Sequence, residues 1–132
     1  MGTKYAHPDV LDGGLLAIKN NAVRLLLVKN YTAGDSYATV TGNAVASVTL
    51  TSADFTIGNG ANGSRTITLA AGKTATATGA ALAAGNGQDH EFALTDGSAR
   101  VLCMLDETGE SANQINDTIT FPALVYTSNQ PT

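Results

Sequence analysis

Residues 89–106 read DHEFALTDGSARVLCMLD, and this stretch decides the fold. From His90 to Leu94, apolar and polar side chains alternate with the period of two that is typical of a half-buried strand. Asp96 and Gly97 then form a turn signal, because Gly accepts positive φ without a steric cost. Residues 100–105 follow, with apolar side chains on both faces. The stretch predicts a β-hairpin whose second strand lies in the middle of the fold, covered on both sides.

Strand patterns continue on either side of this hairpin at short, regular spacing from residue 44 onward. Residues 55–57 and 65–70 predict a second hairpin, and residues 118–126 predict a closing strand with Pro122 at an edge or bulge. The fold class expected is therefore mainly β, an antiparallel β-sandwich or jelly-roll-like domain. The side chains predicted to be buried in its core are Phe92, Leu94, Val101, Cys103, Leu105, Ile119 and Phe121.

One short helix is predicted near the N-terminus, over residues 8–20. Pro8 suits the first helical position, and three apolar residues at helical spacing form one face: Leu11, Leu15 and Ile18. Gly13 and Gly14 cost about 2 kcal/mol of helix propensity, which favours a close contact at that point. The sequence leaves open whether a short helical turn begins near Ser36. We expect one domain over residues 1–132, divided into an arm (2–7), the helix (8–20), a β-domain (22–126) and a polar tail (127–132).

Composition narrows the possible functions. The chain has 132 residues, a net charge of −4 and only seven Lys and Arg. Scattered cations argue against nucleic-acid binding, which needs them clustered. Cys103 is the single cysteine, so we expect no disulfide and no thiolate metal site. No apolar run is long enough for a membrane span and no targeting signal is visible, so we expect no membrane partner.

No motif indicates a catalytic, cofactor or metal site. Residues 58–63 match G-x-G-x-x-G, but a strand pattern follows where dinucleotide binding requires a helix, so a hairpin loop is expected. His7 and His90 are the only histidines, and His90 is interpreted as a packed strand-end residue. The acidic residues of one polar connector favour solvent exposure over calcium binding; they are Asp106, Glu107, Glu110 and Asp117. We therefore expect no enzymatic activity, no cofactor and no metal.

Three segments together carry a family resemblance. They are residues 9–22 (DVLDGGLLAIKNNA), residues 89–102 (DHEFALTD followed by RVL) and residues 116–122 (NDTITFP). In this order they resemble small virion proteins of tailed bacteriophages, commonly encoded beside the major capsid protein. The resemblance is to capsid decoration (cement) proteins, which bind the outside of the shell, often as trimers, and reinforce it. It implies the major capsid protein and further copies of this chain as partners, and the capsid surface of a virion assembled in a bacterial host as the location.

Two surfaces are candidates for such contacts. Thr74, Thr76 and Thr78 alternate with alanines in a thin strand expected at an edge or facing a subunit, where a bare β-edge invites pairing. The candidate contact segment runs over residues 74–84. Lys4 and Tyr5 belong to the arm, which we expect to be disordered until a partner orders it. The alternatives to a cement protein are a tail, neck or fibre-base component of the virion, a non-viral binding module and, least favoured, an enzyme whose site is not visible in the sequence.

Overall fold

The N-terminal helix, α1, spans Pro8–Asn21 in a computed structural model that describes residues 4–78, 90–106 and 116–132. His7 caps it, because His7 Nδ1 accepts a hydrogen bond from Asp9 N at 3.1 Å. The same nitrogen lies 3.6 Å from the Asp9 carboxylate. The predicted apolar face is buried, namely Leu11, Leu15 and Ile18. The helix is confirmed, one residue longer than expected.

The close contact expected at Gly13 and Gly14 is absent from the described structure. Both residues are exposed, and no described atom lies within 4 Å of a Cβ built at either position. Packing against the described residues therefore does not explain this glycine pair.

The largest sheet contains four antiparallel strands, which are β1 (Arg24–Lys29), β2 (Ala44–Thr49), β6 (His90–Thr95) and β7 (Val101–Asp106). Their order in the sheet is β2-β1-β6-β7. In β1, four consecutive apolar residues are buried, from Leu25 to Val28. β1 and β6 therefore form the buried centre of this sheet.

The predicted hairpin exists, but its two strands exchange the expected positions. β6 lies between β1 and β7 and is almost wholly buried, whereas β7 ends the sheet. The prediction that residues 100–105 lie in the middle of the fold is wrong for the single chain. Val101, Cys103 and Leu105 are half-buried rather than buried. Their partial exposure follows from the position of β7 in the sheet, since no described strand pairs with its outer edge.

Two smaller antiparallel sheets complete the β-structure. One has the order β3-β4-β9, made of β3 (Phe55–Asn59), β4 (Arg65–Leu69) and β9 (Leu124–Ser128). The other pairs β5 (Thr74–Thr76) with β8 (Thr118–Thr120). The β3–β4 pairing confirms the second predicted hairpin.

The C-terminal region departs from the single closing strand expected at residues 118–126. It forms two strands in different sheets, β8 and β9, because the chain changes sheet at residues 121–123. Pro122 lies in this break, where its missing N–H interrupts no ladder. β9 continues to Ser128, so the first part of the expected polar tail is strand.

One core cluster joins the three sheets and α1. It includes Leu15 of α1, Leu27 of β1, Leu69 of β4 and Ile119 of β8. Phe92 and Phe121 meet within it, with ring centroids 5.5 Å apart and ring planes tilted by 57°. This mainly β, antiparallel, sandwich-like architecture with a helix at its N-terminus confirms the predicted fold class. The predicted burial of Phe92, Leu94, Ile119 and Phe121 is also confirmed.

A second, smaller cluster covers the opposite face of the four-stranded sheet. Its buried members are Leu26, Val28, Val40 and Ala93. Val40 comes from α2 (Tyr37–Gly42), which Ser36 caps by accepting a hydrogen bond from Thr39 N at 3.2 Å. The helical turn that the sequence left open is therefore present, and the sheet is covered on both faces.

Candidate interaction surface

The predicted thin strand presents its threonines to solvent. Thr74, Thr76 and Thr78 are exposed, while Ala75 is half-buried and Ala77 is buried. The β5–β8 register places Thr74 opposite Thr120 and Thr76 opposite Thr118, and those two partners are also exposed. We call Thr74, Thr76, Thr118 and Thr120 the threonine face. It is a small, uncharged surface of hydroxyl and methyl groups.

Sequence reasoning found one half of the threonine face and missed the other. Thr118 and Thr120 flank Ile119, which is buried at 1 % exposure. The alternation around Ile119 predicts a strand and identifies its buried apolar face, but it does not single out the outward threonines. Only the register with β5 shows that the outward threonines of two distant segments share one surface.

The edge of β5 is not wholly bare. Thr78 N donates to Val45 O of β2 at 2.8 Å. This bond connects the C-terminal end of the thin strand to the four-stranded sheet. A partner strand could therefore pair only along residues 74–76 rather than along the whole segment. The remainder of the candidate contact segment, residues 79–84, lies outside the described residues.

The N-terminal arm is attached to the C-terminal segment, contrary to expectation. Gln130 Oε1 accepts from Ala6 N at 2.8 Å, and Gln130 Nε2 donates to Ala6 O and to Gly63 O, both at 3.0 Å. Lys4 Nζ donates to Thr132 O at 2.5 Å. The prediction of an untethered arm is therefore wrong for residues 4–7. Tyr5 nevertheless stays 69 % exposed and available for contact.

The glycine-rich segment forms a loop between β3 and β4, as predicted. It contains a 3₁₀ turn over Ala61–Gly63, with positive φ at Asn62 (57°) and Gly63 (77°). Strand β4 follows it, so no helix N-terminus is available there to bind a pyrophosphate. An open cavity of about 450 Å³ lies between this loop and residues 127–132.

A second cavity, of about 330 Å³, lies over the small-cluster face of the four-stranded sheet. Arg24 lines it together with four hydroxyl-bearing residues, which are Tyr37, Thr41, Ser47 and Thr95. Among the described residues, the side chain of Arg24 has no ion pair, whereas Arg65, Lys73 and Arg100 each bind a carboxylate. One cation among hydroxyls could hold a small carboxylate or phosphate.

Three carboxylates have partners that stabilise local structure. Asp12 receives two hydrogen bonds from the Arg65 guanidinium, at 2.8 and 3.1 Å. The Thr51 N–H bond and Lys73 lower the pKa of Asp54. Backbone N–H groups from Ala99 and Arg100 hold the pKa of Asp96 far below its usual range, aided by the Arg100 side chain and Ser98 N. These charges lie at turns and helix–sheet contacts, where they fix the fold.

The potential catalytic residues are not brought together within the described part of the chain. His90 is buried at 3 % exposure, and its Nε2 has no hydrogen-bond partner among the residues that the structure describes. Burial raises the pKa of the half-buried Cys103 thiol, which makes it a weaker nucleophile. No group of three metal-ligating side chains occurs among the described residues. Glu107 and Glu110 of the acidic connector lie outside them.

Comparison of the chain with protein-family models, with curated proteins and with solved structures finds no match. Among the described residues, no helix is both long enough and apolar enough to cross a membrane.

Proposed function

We propose that this chain is a structural protein of a tailed-bacteriophage virion, a decoration (cement) protein that binds the outside of the capsid shell and stabilises it. Its partner is the major capsid protein, and it acts by contact rather than by catalysis. The resemblance of residues 9–22, 89–102 and 116–122 supplies the class. The observation that carries the proposal is the threonine face. Two distant segments build this surface, since Thr76 pairs with Thr118, which lies 42 positions further along the chain.

The chemistry of this surface suits broad contact with another protein. Small side chains allow close approach of two backbones, and threonine offers both a methyl group and a hydroxyl group. No charged side chain belongs to the face, so docking requires no charge to be desolvated. Exposed Tyr5 adds an aromatic side chain, a residue type enriched in interfaces. We further propose, from the resemblance, that the bound form is a trimer.

The test is to mix purified protein with undecorated capsids and to measure binding and the heat resistance of the shell. Thr76→Lys and Thr118→Lys place a charge on the threonine face from each of its two strands. Thr56→Lys is the matched control, because Thr56 is an exposed strand threonine of a different sheet. We expect both face variants to lose binding and the control to bind like the parent.

Deletion of residues 2–7 tests the arm separately, and weaker binding is expected because Tyr5 is lost. If all the variants bind and protect the shell as the parent does, the proposed surface is wrong. If the parent itself does not bind the shell, the cement function is excluded, and electron microscopy of virions should then find the protein on the tail or neck.

A further inference from the structure

The cavity over the small-cluster face of the four-stranded sheet is lined by one cation, Arg24, and has a volume of about 330 Å³. Five other basic side chains bind carbonyl or carboxylate oxygens, namely Lys4, Lys19, Arg65, Lys73 and Arg100. Among the described residues, by contrast, the Arg24 guanidinium has neither a hydrogen bond nor an ion pair. No Asp or Glu occurs among the described residues that line the cavity. The positive charge of Arg24 is therefore free to bind an anion.

The register of the sheet places Arg24 between polar residues of both neighbouring strands. Arg24 lies opposite Thr95 of β6, and Leu26 lies opposite Ser47 of β2. Alternate residues of a strand share a face, so Arg24 and Leu26 lie on the same side of the sheet. A Cβ built at Gly97 would lie 3.9 Å from Arg24 Cγ. The turn after β6 is therefore a close neighbour of the Arg24 stem.

Three hydroxyl groups of the lining have protons to donate. Among the described residues, the hydroxyls of Tyr37 and Ser47 make no hydrogen bond. Thr95 is only 1 % exposed, and its Oγ1 accepts a hydrogen bond from Gly97 N at 3.3 Å. A hydroxyl group that accepts a bond still has its own proton to donate. The lining thus combines a guanidinium with one buried and two more accessible hydroxyl donors.

The rest of the lining is apolar and limits the size of a ligand. Leu26 is 5 % exposed and belongs to the small cluster, and Ala44 packs against that cluster. Small-molecule sites in proteins usually have volumes of about 300–1000 Å³, so this cavity is among the smaller ones. A ligand that fits it has one anionic group and a short apolar body.

We propose that this cavity binds a small organic monocarboxylate, with its two oxygens on the Arg24 guanidinium and its apolar part over Leu26. The N–H groups of a guanidinium form a planar fork that matches the two oxygens of a carboxylate. Thr95 and Ser47 lie on either side of β1, where their hydroxyls can donate to the ligand. One cation balances one negative charge, whereas a phosphate monoester carries about −1.5 to −2 at pH 7. The charge of the site therefore favours a carboxylate over a phosphate.

This site is independent of the proposed function, because it shares no residue with the threonine face and its test requires no capsids. Amide NMR spectra of the full-length chain should be recorded during titration with acetate, butyrate and benzoate. We expect saturable shifts at the amides of Arg24, Ser47, Thr95 and Gly97. Butyrate should bind more tightly than acetate, because it buries more apolar surface.

Two further ligands test the charge and its geometry. Butyramide has nearly the shape of butyrate without the charge and should cause no saturable shifts at these amides. Inorganic phosphate should bind more weakly than butyrate. The absence of saturable shifts with all three carboxylates would overturn the proposal, and so would tighter binding of phosphate or equal binding of butyramide.

Substitutions then assign the binding to Arg24. Arg24→Gln should weaken butyrate binding by about tenfold or more, because it removes both the charge and the paired N–H groups. Ser47→Glu, at an exposed position, places a competing carboxylate near Arg24 and should also weaken it. Lys19→Gln is the matched control and should bind like the parent. It removes the same charge from α1, which packs on the large-cluster side of the sheet.

Unchanged butyrate binding by a folded Arg24→Gln protein would reject the site. Equal weakening by Lys19→Gln would show attraction to the net charge of the protein rather than binding at Arg24, and would reject it as well. If Arg24→Gln does not fold, Ser47→Glu decides: the proposal fails if that variant binds butyrate as tightly as the parent does.

Discussion

Asp96 shows at the scale of one residue how the central hairpin is closed. Its Oδ1 accepts hydrogen bonds from Ser98 N, Ala99 N and Arg100 N at 2.8–3.0 Å, and its Oδ2 accepts one from Arg100 Nε at 2.9 Å. Gly97 follows with φ of 77°, and a Cβ there would approach Val23 Cγ2 to 2.6 Å. The turn signal read from the sequence is therefore a specific anion-centred loop.

Asp96 should make stability depend on pH in acid. Folding lowers its pKa from the ordinary value of 3.8, so its contribution is complete above that value and is lost as the pH falls towards the folded-state pKa. Urea unfolding from pH 7 to pH 2 should show a smaller acid-induced loss for Asp96→Asn than for the parent. Asp96→Ala should be the less stable variant at pH 7, because it cannot accept the three N–H bonds. Ser98→Ala, the control, should keep the acid dependence of the parent.

Gln130 should stabilise the arm measurably. Its amide makes three hydrogen bonds to Ala6 and Gly63, each contributing about 1 kcal/mol, so Gln130→Ala should lower the free energy of unfolding by about 1–3 kcal/mol. Hydrogen exchange should become faster at Ala6 N. Asn129→Ala, at an exposed neighbouring position, is the control. Unchanged exchange at Ala6 in the Gln130 variant would contradict the attachment of the arm.

At the scale of elements, the hairpin strands differ in burial because of sheet order. β6 has β1 on one side and β7 on the other, whereas β7 has only β6 among the described strands. Phe92 is 1 % exposed, while Leu105 opposite it is half-buried. The apolar content of the two strands alone predicted that β7 would be the more buried strand.

Truncation of these two paired residues should therefore have unequal costs. Phe92→Ala should lower the free energy of unfolding by about 3–5 kcal/mol, as for a buried aromatic residue. Leu105→Ala should cost less than about 2 kcal/mol in the single chain, because part of its side chain already contacts solvent. Urea denaturation at low protein concentration would measure both. A larger loss for Leu105→Ala would mean that β7 is a core strand under those conditions.

Helix α1 should tolerate the removal of its glycine pair. Gly13→Ala and Gly14→Ala should each raise the free energy of unfolding by about 0.5–1 kcal/mol, because the backbone is helical and the space around each Cβ is open. Ala17→Gly, at an exposed position of the same helix, should have the opposite effect. A destabilising Gly→Ala change would reveal a close contact at this point of the helix.

At the scale of the whole molecule, one large cluster carries the connections between elements. It unites side chains from α1 and from strands of all three sheets. The ion pair between Asp12 and Arg65 reinforces the same junction of α1 with β4, with both side chains mostly buried at 16 % and 20 % exposure. The threonine face lies outside this core and is exposed to solvent. Substitutions on the face should therefore alter binding more than the free energy of unfolding.

Shell binding by this molecule should depend only weakly on salt. The threonine face contains no charged residue, so few ion pairs are expected in the contact, and salt screens charge–charge attraction. Raising the salt from low to high concentration should weaken binding to undecorated capsids by less than about tenfold. A much steeper dependence would place Lys4 or other charges at the centre of the contact instead.

The sequence by itself determined the local features of this protein. The helix from Pro8, the β3–β4 hairpin and the turn at Asp96 all depend on side chains within a few positions of one another. Period-2 alternation also identified the buried face of each strand, on which Phe92 and Ile119 lie. Propensity, capping and turn chemistry act over such short distances, so they can be read from neighbouring residues.

Only the tertiary structure decided which strand is central, how the arm is held and which threonines share a surface. β7 has the more apolar sequence but lies at the edge, because strand order depends on partners far along the chain. Gln130 meets Ala6 across 124 positions, and Thr118 reaches Thr76 only through the β5–β8 register. These pairings depend on how the whole core closes, and no local pattern encodes that closure.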